Sequence, residues 1–326
     1  MKIFCGYETT DAPWGGANTF LRALYGELAE THGMELVFSM EKNVDLVFLN
    51  QTSRGPGSGS QQIEQQFADD LLGTSSSLPV VVRAVNLRRH SAKRGGLAWW
   101  FSADRLRDRK TLSILANANY VIFQSDYQRE IFLQNNFRPR RSRVIRNGAD
   151  QRFVDIGYTT HNDLHPLRIF ASAFSTRKTK RHDLLAQLSE LDDVELTFAG
   201  HWREGVPPAR VKQLGTLSHA EMVEHMKAAH FFAHPAIMDP CPNSMIEALA
   251  GGVPVLYGDG PGSGAELASH FGLPLDESDL SKTIGQARSR YQVLCDRLSL
   301  ERSYFSVKRA AEEYAVLFRE VAGKRT

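Results

Sequence analysis

One stretch of the chain predicts a buried strand, a helix and a second buried strand in direct succession. Residues 230–238 form a mostly apolar run that predicts a strand. Pro242 suits the first turn of a helix, where its missing N–H costs nothing, and Gly251 and Gly252 suit the helix end. Residues 253–257 then predict the next strand. A helix between two strands is the connection that parallel sheets need.

The same alternation of short apolar runs and helical patterns continues along the chain. It favours an α/β protein with parallel sheets and helices on both faces, in which ligands bind at the carboxyl ends of the strands. At 326 residues the chain suits two domains, and the polar stretch 158–166 is the expected boundary. Further strands are predicted at 2–5, 36–40, 44–49, 79–85, 120–124, 142–146, 168–173, 195–199 and 211–214, and further helices at 19–33, 61–72, 112–118, 126–135, 181–191, 220–229 and 305–321.

Two acidic residues bracket the strand-to-helix turn after residue 238. Asp239 lies in the loop and Glu247 lies about one turn inside the predicted helix. The amide groups of Asn243, Ser244 and Met245 open this helix, and a helix N-terminus binds phosphate well. A carboxylate nearby can accept hydrogen bonds from sugar hydroxyls. Phosphate donors beside such an acid are what a nucleotide-sugar site needs, although any well-capped strand–helix turn of an α/β protein has part of this pattern.

The run from Asp239 to residue 256, which ends in Ala-Leu-Ala-Gly-Gly-Val-Pro-Val-Leu, resembles the E-x7-E region of retaining glycosyltransferases of family 4. Asp239 stands where the family has its first Glu, and Glu247 is the second acid. The resemblance implies a GT-B fold, with two Rossmann-like domains facing an interdomain cleft and a C-terminal helix that crosses back to the first domain. It implies an acceptor domain at 1–160, a nucleotide-sugar domain at 161–302 and the returning helix at 303–326.

The implied activity is transfer of a sugar, of the hexosyltransferase type, from a nucleoside-diphosphate sugar to an acceptor hydroxyl with retention of configuration. The nucleotide sugar is a co-substrate; the family pattern implies no cofactor and no metal ion. Glu247 would hold the ribose, and Asp239 would lie near the hydroxyls of the transferred sugar. The acceptor would be a glycan, a lipid-linked molecule or a small molecule.

A basic loop after the strand at 168–173 matches the diphosphate-binding segment of the family. Lys180 corresponds to the family's lysine, because it directly precedes the helix at 181–191. Ser175 stands where the family usually has an arginine, so Arg177 or Lys178 is the expected second charge. A solvated basic loop is the alternative interpretation.

Two further segments match donor contacts of the family. Gly15 and Gly16 precede the first helix, where their backbone can approach a diphosphate closely, although an ordinary tight turn has the same composition. Backbone groups near Gln213 and Leu214 would read the nucleobase. The segment Val144–Asp150, with Asn147 and Gly148, resembles the turn that leaves the first domain of the family.

Asn86 follows the strand at 79–85, at a position where many relatives place a His or Asp near the sugar. An asparagine can donate a hydrogen bond to a sugar hydroxyl but cannot act as a base. Arg83 and His90 are nearby in sequence, and Arg83 is equally well explained as a structural partner.

Residues 87–110 combine eight Lys/Arg with Trp99, Trp100 and Phe101. Aromatic side chains stack on sugars and lie at lipid interfaces, so this segment predicts an acceptor surface or peripheral membrane contact. A helix with solvated charges and buried aromatic residues explains the same pattern.

Composition limits the other functions. The net charge of +2 gives no general case for nucleic-acid binding, so no nucleic-acid partner is expected. Three widely separated cysteines form no metal or redox motif and indicate a reducing compartment. No apolar run approaches the ~20 residues of a membrane-spanning helix, and residues 1–6 predict a core strand instead of a signal peptide. We expect a cytoplasmic protein, with peripheral contact at the inner membrane face left open.

Two other functions fit parts of the pattern. One is a nucleotide-sugar epimerase or an inverting GT-B transferase; both need a base or paired acids in the first domain, which Asn86 does not supply. The other is a non-catalytic sugar-nucleotide or RNA-binding module, against which the presence of both Lys180 and Glu247 argues.

Overall fold

A computed structural model describes residues 1–11, 16–51, 78–91, 101–157 and 160–323. The described residues divide into two compact units. The first unit takes residues 1–11, 17–146 and 310–323, and the second takes 147–309 together with Gly16.

Twelve strands and eleven α-helices lie in the described ranges, with two short 3₁₀ turns at Lys178–Lys180 and Arg302–Phe305. The strands are β1 (Lys2–Cys5), β2 (Glu35–Val37), β3 (Leu46–Asn50), β4 (Val80–Arg83), β5 (Tyr120–Phe123), β6 (Ser142–Val144), β7 (Leu167–Ala173), β8 (Val194–Gly200), β9 (Lys212–Gly215), β10 (Phe231–His234), β11 (Val255–Gly258) and β12 (Gly272–Leu275). The helices are α1 (Gly16–Glu30), α2 (Arg88–Ser91), α3 (Ala103–Asn117), α4 (Asp126–Gln134), α5 (Gln151–Val154), α6 (His182–Ser189), α7 (His219–Ala228), α8 (Asn243–Ala250), α9 (Gly264–Ala268), α10 (Leu280–Glu301) and α11 (Val307–Val321).

The first unit is built on a six-stranded parallel sheet in the order β2-β1-β3-β4-β5-β6. All five residues of β3 are buried, as expected for a central strand covered on both faces. Arg83, at the end of β4, is 1% exposed and donates to Asn50 Oδ1 at 2.6 Å and to Gln124 Oε1 at 2.5 Å. Its guanidinium also lies 5.1 Å from the ring centre of Phe20. Arg83 therefore ties together β3, β5 and α1 from inside the core.

The second unit is built on another six-stranded parallel sheet, in the order β12-β11-β10-β7-β8-β9. The chain runs outward from β7 through β8 to β9, then returns to the other side of β7 and runs outward through β10, β11 and β12. The direction of winding therefore changes between β7 and β10. Ligands of such sheets bind outside the carboxyl ends of the strands at this switch point.

Backbone hydrogen bonds join the segment after residue 146 to the chain that leads into α11. Ala149 N–H donates to Phe305 O at 2.7 Å, and Val307 N–H donates to Ala149 O at 2.8 Å. A methyl group on Gly148 would lie 2.3 Å from Ser306 O, so only glycine fits there. From residue 310 onward α11 belongs to the first unit.

The predicted architecture of parallel sheets with flanking helices is confirmed, and some element ends differ. The strand predicted over 230–238 ends at His234, because Pro235 has no N–H for the ladder. Pro242 is the N-cap of α8 instead of a first-turn residue. The helix predicted at 112–118 begins at Ala103, where Ser102 accepts a hydrogen bond from Arg105 N–H at 3.3 Å. The helix predicted at 61–72 lies outside the described residues.

Candidate functional site

The structure brings Lys180 and Asp239 together at the switch point of the second sheet. Lys180 ends the 3₁₀ turn that follows β7, and Asp239 lies in the loop that follows β10. Because β7 and β10 are neighbours, their carboxyl-end loops meet, and Lys180 Nζ lies 2.7 Å from Asp239 Oδ2. The two side chains are only 23% and 20% exposed. The sequence predicted both residues for the site but not this ion pair.

Backbone hydrogen bonds hold the Asp239 loop in place. Ile237 N–H donates to Thr179 O at 2.9 Å, which joins this loop to the Lys180 turn. The N–H and Oγ of Ser263 donate to Asp239 O at 3.0 and 3.1 Å. Cys241 N–H donates to Asp239 Oδ1 at 3.3 Å. Asp239 is thus fixed at both its carbonyl and its carboxylate.

The Asp239 carboxyl is ionised at neutral pH. Burial alone would raise its pKa, but the charge of Lys180, the nearby His234, the Lys180 hydrogen bond and the Cys241 amide hydrogen bond lower the pKa below its usual value of 3.8. The pair is therefore a half-buried ammonium beside a half-buried carboxylate.

The first turn of α8 offers free amide groups. Ile246 N–H donates to Pro242 O at 3.2 Å, so Asn243, Ser244 and Met245 have no acceptor one turn back. Pro242 supplies no side-chain cap to satisfy them.

Side-chain amides fix the start of α8. Asn243 Oδ1 accepts a hydrogen bond from Asn147 Nδ2 at 2.7 Å. Asn243 Nδ2 donates to the carbonyl of Gly16, which belongs to the same unit. Gly16 and Asn243 were both predicted as donor-binding residues, and they are in direct contact. Gly15 lies outside the described residues.

Glu247 lies on the second turn of α8, in an unfavourable place for a carboxylate. Its pKa is raised from 4.5 to about 7, first by burial and then by the charge of Asp150, while Arg152 opposes the shift. Asp150 is already occupied, because it accepts hydrogen bonds from Arg152 Nε at 2.9 Å and from an Arg152 terminal nitrogen at 3.1 Å. In the described part of the chain, the Glu247 carboxyl accepts no hydrogen bond. It is available to accept from a ligand.

The candidates for a second phosphate-binding cation are both exposed. Arg177 precedes the 3₁₀ turn and Lys178 begins it, and neither has an ion-pair partner among the described residues. Arg181 differs, because its guanidinium is bound to Asp183 and Glu277. Arg177 and Lys178 therefore stay the candidates for the role of the missing arginine.

Leu214 lies at a β-bulge on the edge strand β9. Phe198 of β8 pairs with Gln213 and the next residue, Ala199, pairs with Gly215, which leaves Leu214 without a partner in the register. Gln213 is exposed. Main-chain groups at a bulge are available to a ligand, as the prediction of nucleobase contacts at Gln213 and Leu214 requires.

Asn86 lies in the first unit, in the loop after β4. Its Oδ1 accepts from Leu87 N–H at 2.8 Å, and Gln51 Oε1 accepts from Asn86 N–H at 3.0 Å. The Nδ2 group of Asn86 has no partner in the described part of the chain, so it can donate to a ligand.

Part of the basic segment 87–110 has a structural role. Asp108 is 6% exposed and accepts hydrogen bonds from Arg88 N–H at 2.7 Å and Arg89 N–H at 2.9 Å, at the start of α2. Phe101 is 89% exposed, as an acceptor or membrane surface requires. Trp99 and Trp100 lie outside the described residues.

Across the ranges that the structure describes, no group of three or more His, Cys, Asp or Glu side chains could hold a metal ion. No helix in those ranges is long and apolar enough to cross a membrane.

Two residues that the structure places at the site were not predicted from the sequence. Arg152 moderates the charge around Glu247, and His234 points at Asp239 from the end of β10. His234 was counted as part of an apolar run. A histidine at the carboxyl end of a buried strand was the available signal.

The fold is shared over nearly the whole chain with solved structures that include glycosyltransferases. A sucrose-phosphate synthase from Thermosynechococcus elongatus has a TM-score of 0.70 at 16% identity, with 99% of each chain covered. HepE from Anabaena, solved with UDP and glucose, has a TM-score of 0.67 at 17% identity, covering 98% of this chain and 100% of HepE. This chain has the GT-B fold. WaaG, a glycosyltransferase of lipopolysaccharide biosynthesis, has a TM-score of 0.63 at 15% identity, with 98% and 99% covered. No family model and no curated protein matches the sequence itself.

Proposed function

We propose that this chain is a retaining glycosyltransferase of the hexosyltransferase type, which moves a sugar from a nucleoside-diphosphate sugar to an acceptor hydroxyl. The main support is the meeting of Lys180 and Asp239 at the switch point, directly before the uncapped first turn of α8. A cation and free amides suit a diphosphate, and a carboxylate suits sugar hydroxyls. HepE, which shares the fold, was solved with UDP-glucose.

The leaving diphosphate gains negative charge as the bond to the sugar breaks. Stabilising this charge is the largest contribution that the protein can make. Lys180 supplies a positive charge, the amides of Asn243, Ser244 and Met245 supply hydrogen bonds, and Arg177 or Lys178 supplies the second charge.

The remaining contacts orient the donor. Glu247 accepts hydrogen bonds from the ribose, which suits a carboxylate that no donor occupies in the described residues. Asp239 accepts hydrogen bonds from the hydroxyls of the transferred sugar. Asn86 Nδ2, in the first unit, is a candidate donor to a sugar hydroxyl. Main-chain groups at Gln213 and Leu214 contact the nucleobase.

The reaction needs no protein nucleophile in this proposal. The acceptor oxygen attacks the anomeric carbon on the face that the diphosphate leaves, and the leaving phosphate takes the acceptor proton. Configuration is therefore retained. We also propose that the reaction is independent of a metal ion, because Lys180 and the α8 amides neutralise the diphosphate charge that a metal ion would otherwise neutralise.

The acceptor surface is assigned to residues 87–110, where Phe101 is exposed. A sugar, a lipid-linked acceptor or the inner membrane face would each use exposed aromatic rings and basic side chains. We propose a cytoplasmic enzyme, with acceptors delivered from solution or from the membrane.

A panel of UDP-, GDP- and ADP-sugars, with chelator present, tests the donor assignment by thermal shift. The wild-type melting temperature should rise with one nucleotide, and that nucleotide sugar should be hydrolysed slowly. NMR of the released sugar should show the α anomer first from an α-linked donor; initial release of the β anomer would contradict retention. Lys180→Ala should lose hydrolysis, while Lys282→Ala, an exposed lysine of α10 in the same unit, should keep it. A panel without any shift or turnover would refute the proposed function.

The second phosphate-binding cation is identified by comparing Arg177→Ala with Lys178→Ala. One of the two variants should lower turnover by about tenfold or more, as loss of a charge on the leaving group does. Normal turnover in both would show that neither replaces the arginine of the family.

A further inference from the structure

His234 is the third polar group at the Lys180–Asp239 pair. It ends β10, is 4% exposed, and its Nε2 lies 3.8 Å from Asp239 Oδ2. The same oxygen is held by Lys180 Nζ at 2.7 Å. Nε2 is fully buried and has no hydrogen-bond partner among the described residues. Native structures rarely leave such an atom unpaired, so its position calls for an explanation.

The backbone that carries the His234 ring is fixed. Pro235 follows His234, and its carbonyl packs so closely against β11 that a methyl group on Gly258 would lie 2.5 Å from it. The backbone at His234 is also paired with Tyr257 of β11. From this fixed backbone the buried imidazole faces Asp239, just beyond hydrogen-bond distance.

The charge state suits donation of a hydrogen bond. Burial, followed by the charge of Lys180, lowers the pKa of His234 to about 4, against the opposite effect of Asp239. At neutral pH the ring is neutral and one nitrogen carries a proton. Asp239 is a carboxylate that only accepts, so the tautomer with the proton on Nε2 is the one that can pair with it.

We propose that His234 is a positioning residue that takes over Asp239 Oδ2 when the donor diphosphate draws Lys180 away. This inference rests on the proposed function. Lys180 cannot stay fully engaged with Asp239 while it neutralises a diphosphate. His234 Nε2–H would then hold Oδ2 while Cys241 N–H keeps Oδ1, so that Asp239 stays oriented toward the sugar.

The exchange of partners is testable without any ligand. Lys180→Met removes the competing ammonium and keeps a long side chain. In this variant the ¹⁵N shifts of the His234 imidazole should report the Nε2–H tautomer, with a slowly exchanging proton and a pKa higher than in the wild type. Lys180 and Asp239 act on the ring through their charges, and Tyr257 of β11 is the neighbour of His234 in the sheet register. Adding Asp239→Ala to Lys180→Met should abolish the slow proton. An Nδ1–H tautomer, or a rapidly exchanging Nε2 proton in Lys180→Met, would overturn the proposal.

Kinetics then test the role in catalysis. His234→Leu replaces the imidazole with an apolar side chain of related size, and His234→Gln supplies an N–H group again. With UDP-glucose as donor and UDP as the binding probe, His234→Leu should lower kcat for hydrolysis by about tenfold or more and change the Kd of UDP by less than about threefold. His234→Gln should recover much of kcat.

The matched control is His230→Leu. His230 is a buried histidine that directly precedes β10, and its ring packs against Tyr291 and His161. It should keep wild-type kcat. If His234→Leu lowers kcat and UDP affinity in parallel, or if His234→Gln is no better than His234→Leu, the positioning role is wrong. A wild-type protein inert toward every nucleotide sugar, with the imidazole result intact, would refute the proposed function alone and leave the His234–Asp239 contact standing.

Discussion

Replacing Glu247 by glutamine should stabilise the ligand-free protein at alkaline pH. Burial and the neighbouring charge of Asp150 raise the pKa of Glu247 from 4.5 to about 7, although Arg152 opposes them. Glutamine has nearly the same shape but cannot ionise. The substitution therefore removes the free-energy cost of an ionised, half-buried carboxylate in the folded state while keeping the packing of α8.

The sign and size of the effect follow from linkage between proton binding and folding. Because the folded-state pKa lies above the unfolded value, the contribution of Glu247 to stability is fully present below about pH 4.5 and is lost as the pH rises through about 7. A shift from 4.5 to about 7 corresponds to about 3–4 kcal/mol, and partial exposure reduces it to about 1–3 kcal/mol.

Calorimetric melting near pH 5 and near pH 8 measures this difference. Near pH 5 the melting temperature of Glu247→Gln should be close to that of the wild type. Near pH 8 it should be higher, by about 2–4 °C for each kcal/mol gained in the free energy of unfolding. Glu224→Gln, at an exposed glutamate of α7 in the same unit, should show no such pH-dependent gain. The variant should also bind nucleotide more weakly. A Glu247→Gln protein that is no more stable than the wild type near pH 8 would refute this explanation of the site.

Three further perturbations have defined outcomes. Lys180→Ala should lower turnover by about 10²-fold, more than it weakens donor binding in calorimetry, because its charge meets a leaving group that gains charge. Gly200→Ala should lower the free energy of unfolding by about 1–3 kcal/mol or more in denaturant titrations. Gly200 has φ +107, and an added methyl group would lie 2.2 Å from a backbone carbonyl oxygen. Gly205→Ala, also at positive φ but with open space around it, should lower the free energy of unfolding by less. Replacing Trp99 and Trp100 by Ala should raise the acceptor KM and spare donor hydrolysis if they contact the acceptor, or lower the melting temperature if they are core; a stable variant with unchanged kinetics would contradict both.

The alternation of patterns predicted the parallel sheets because buried strands and amphipathic helices have different periods. Element ends were less predictable. The strand predicted through Met238 stops at His234, because a proline follows and the chain then turns into the Asp239 loop. The helix predicted at 112–118 starts earlier, because its apolar pattern is weak and its start depends on the cap at Ser102.

The candidate site was predicted as separate residues, and the structure adds the contacts between them. Lys180 and Asp239 could be selected by their motifs, but their ion pair depends on the order of strands in the second sheet. The raised pKa of Glu247 depends first on burial and then on the charge of Asp150, which is distant in sequence. His234 looked apolar by context, because only the return of the loop brings Asp239 to its ring.

The central claim is that Lys180 and the first turn of α8 hold the diphosphate of a nucleotide. Calorimetric affinities of UDP and UMP for the wild type and for Lys180→Ala test it most directly. If the thermal-shift panel of nucleotide sugars selects another nucleobase, the diphosphate and monophosphate of that nucleoside are used instead. The wild type should bind the diphosphate about 10–100-fold more tightly than the monophosphate, as one charge-assisted contact provides. Lys180→Ala should lose most of that preference. Equal affinity for UDP and UMP in the wild type, or an undiminished preference in Lys180→Ala, would contradict the claim.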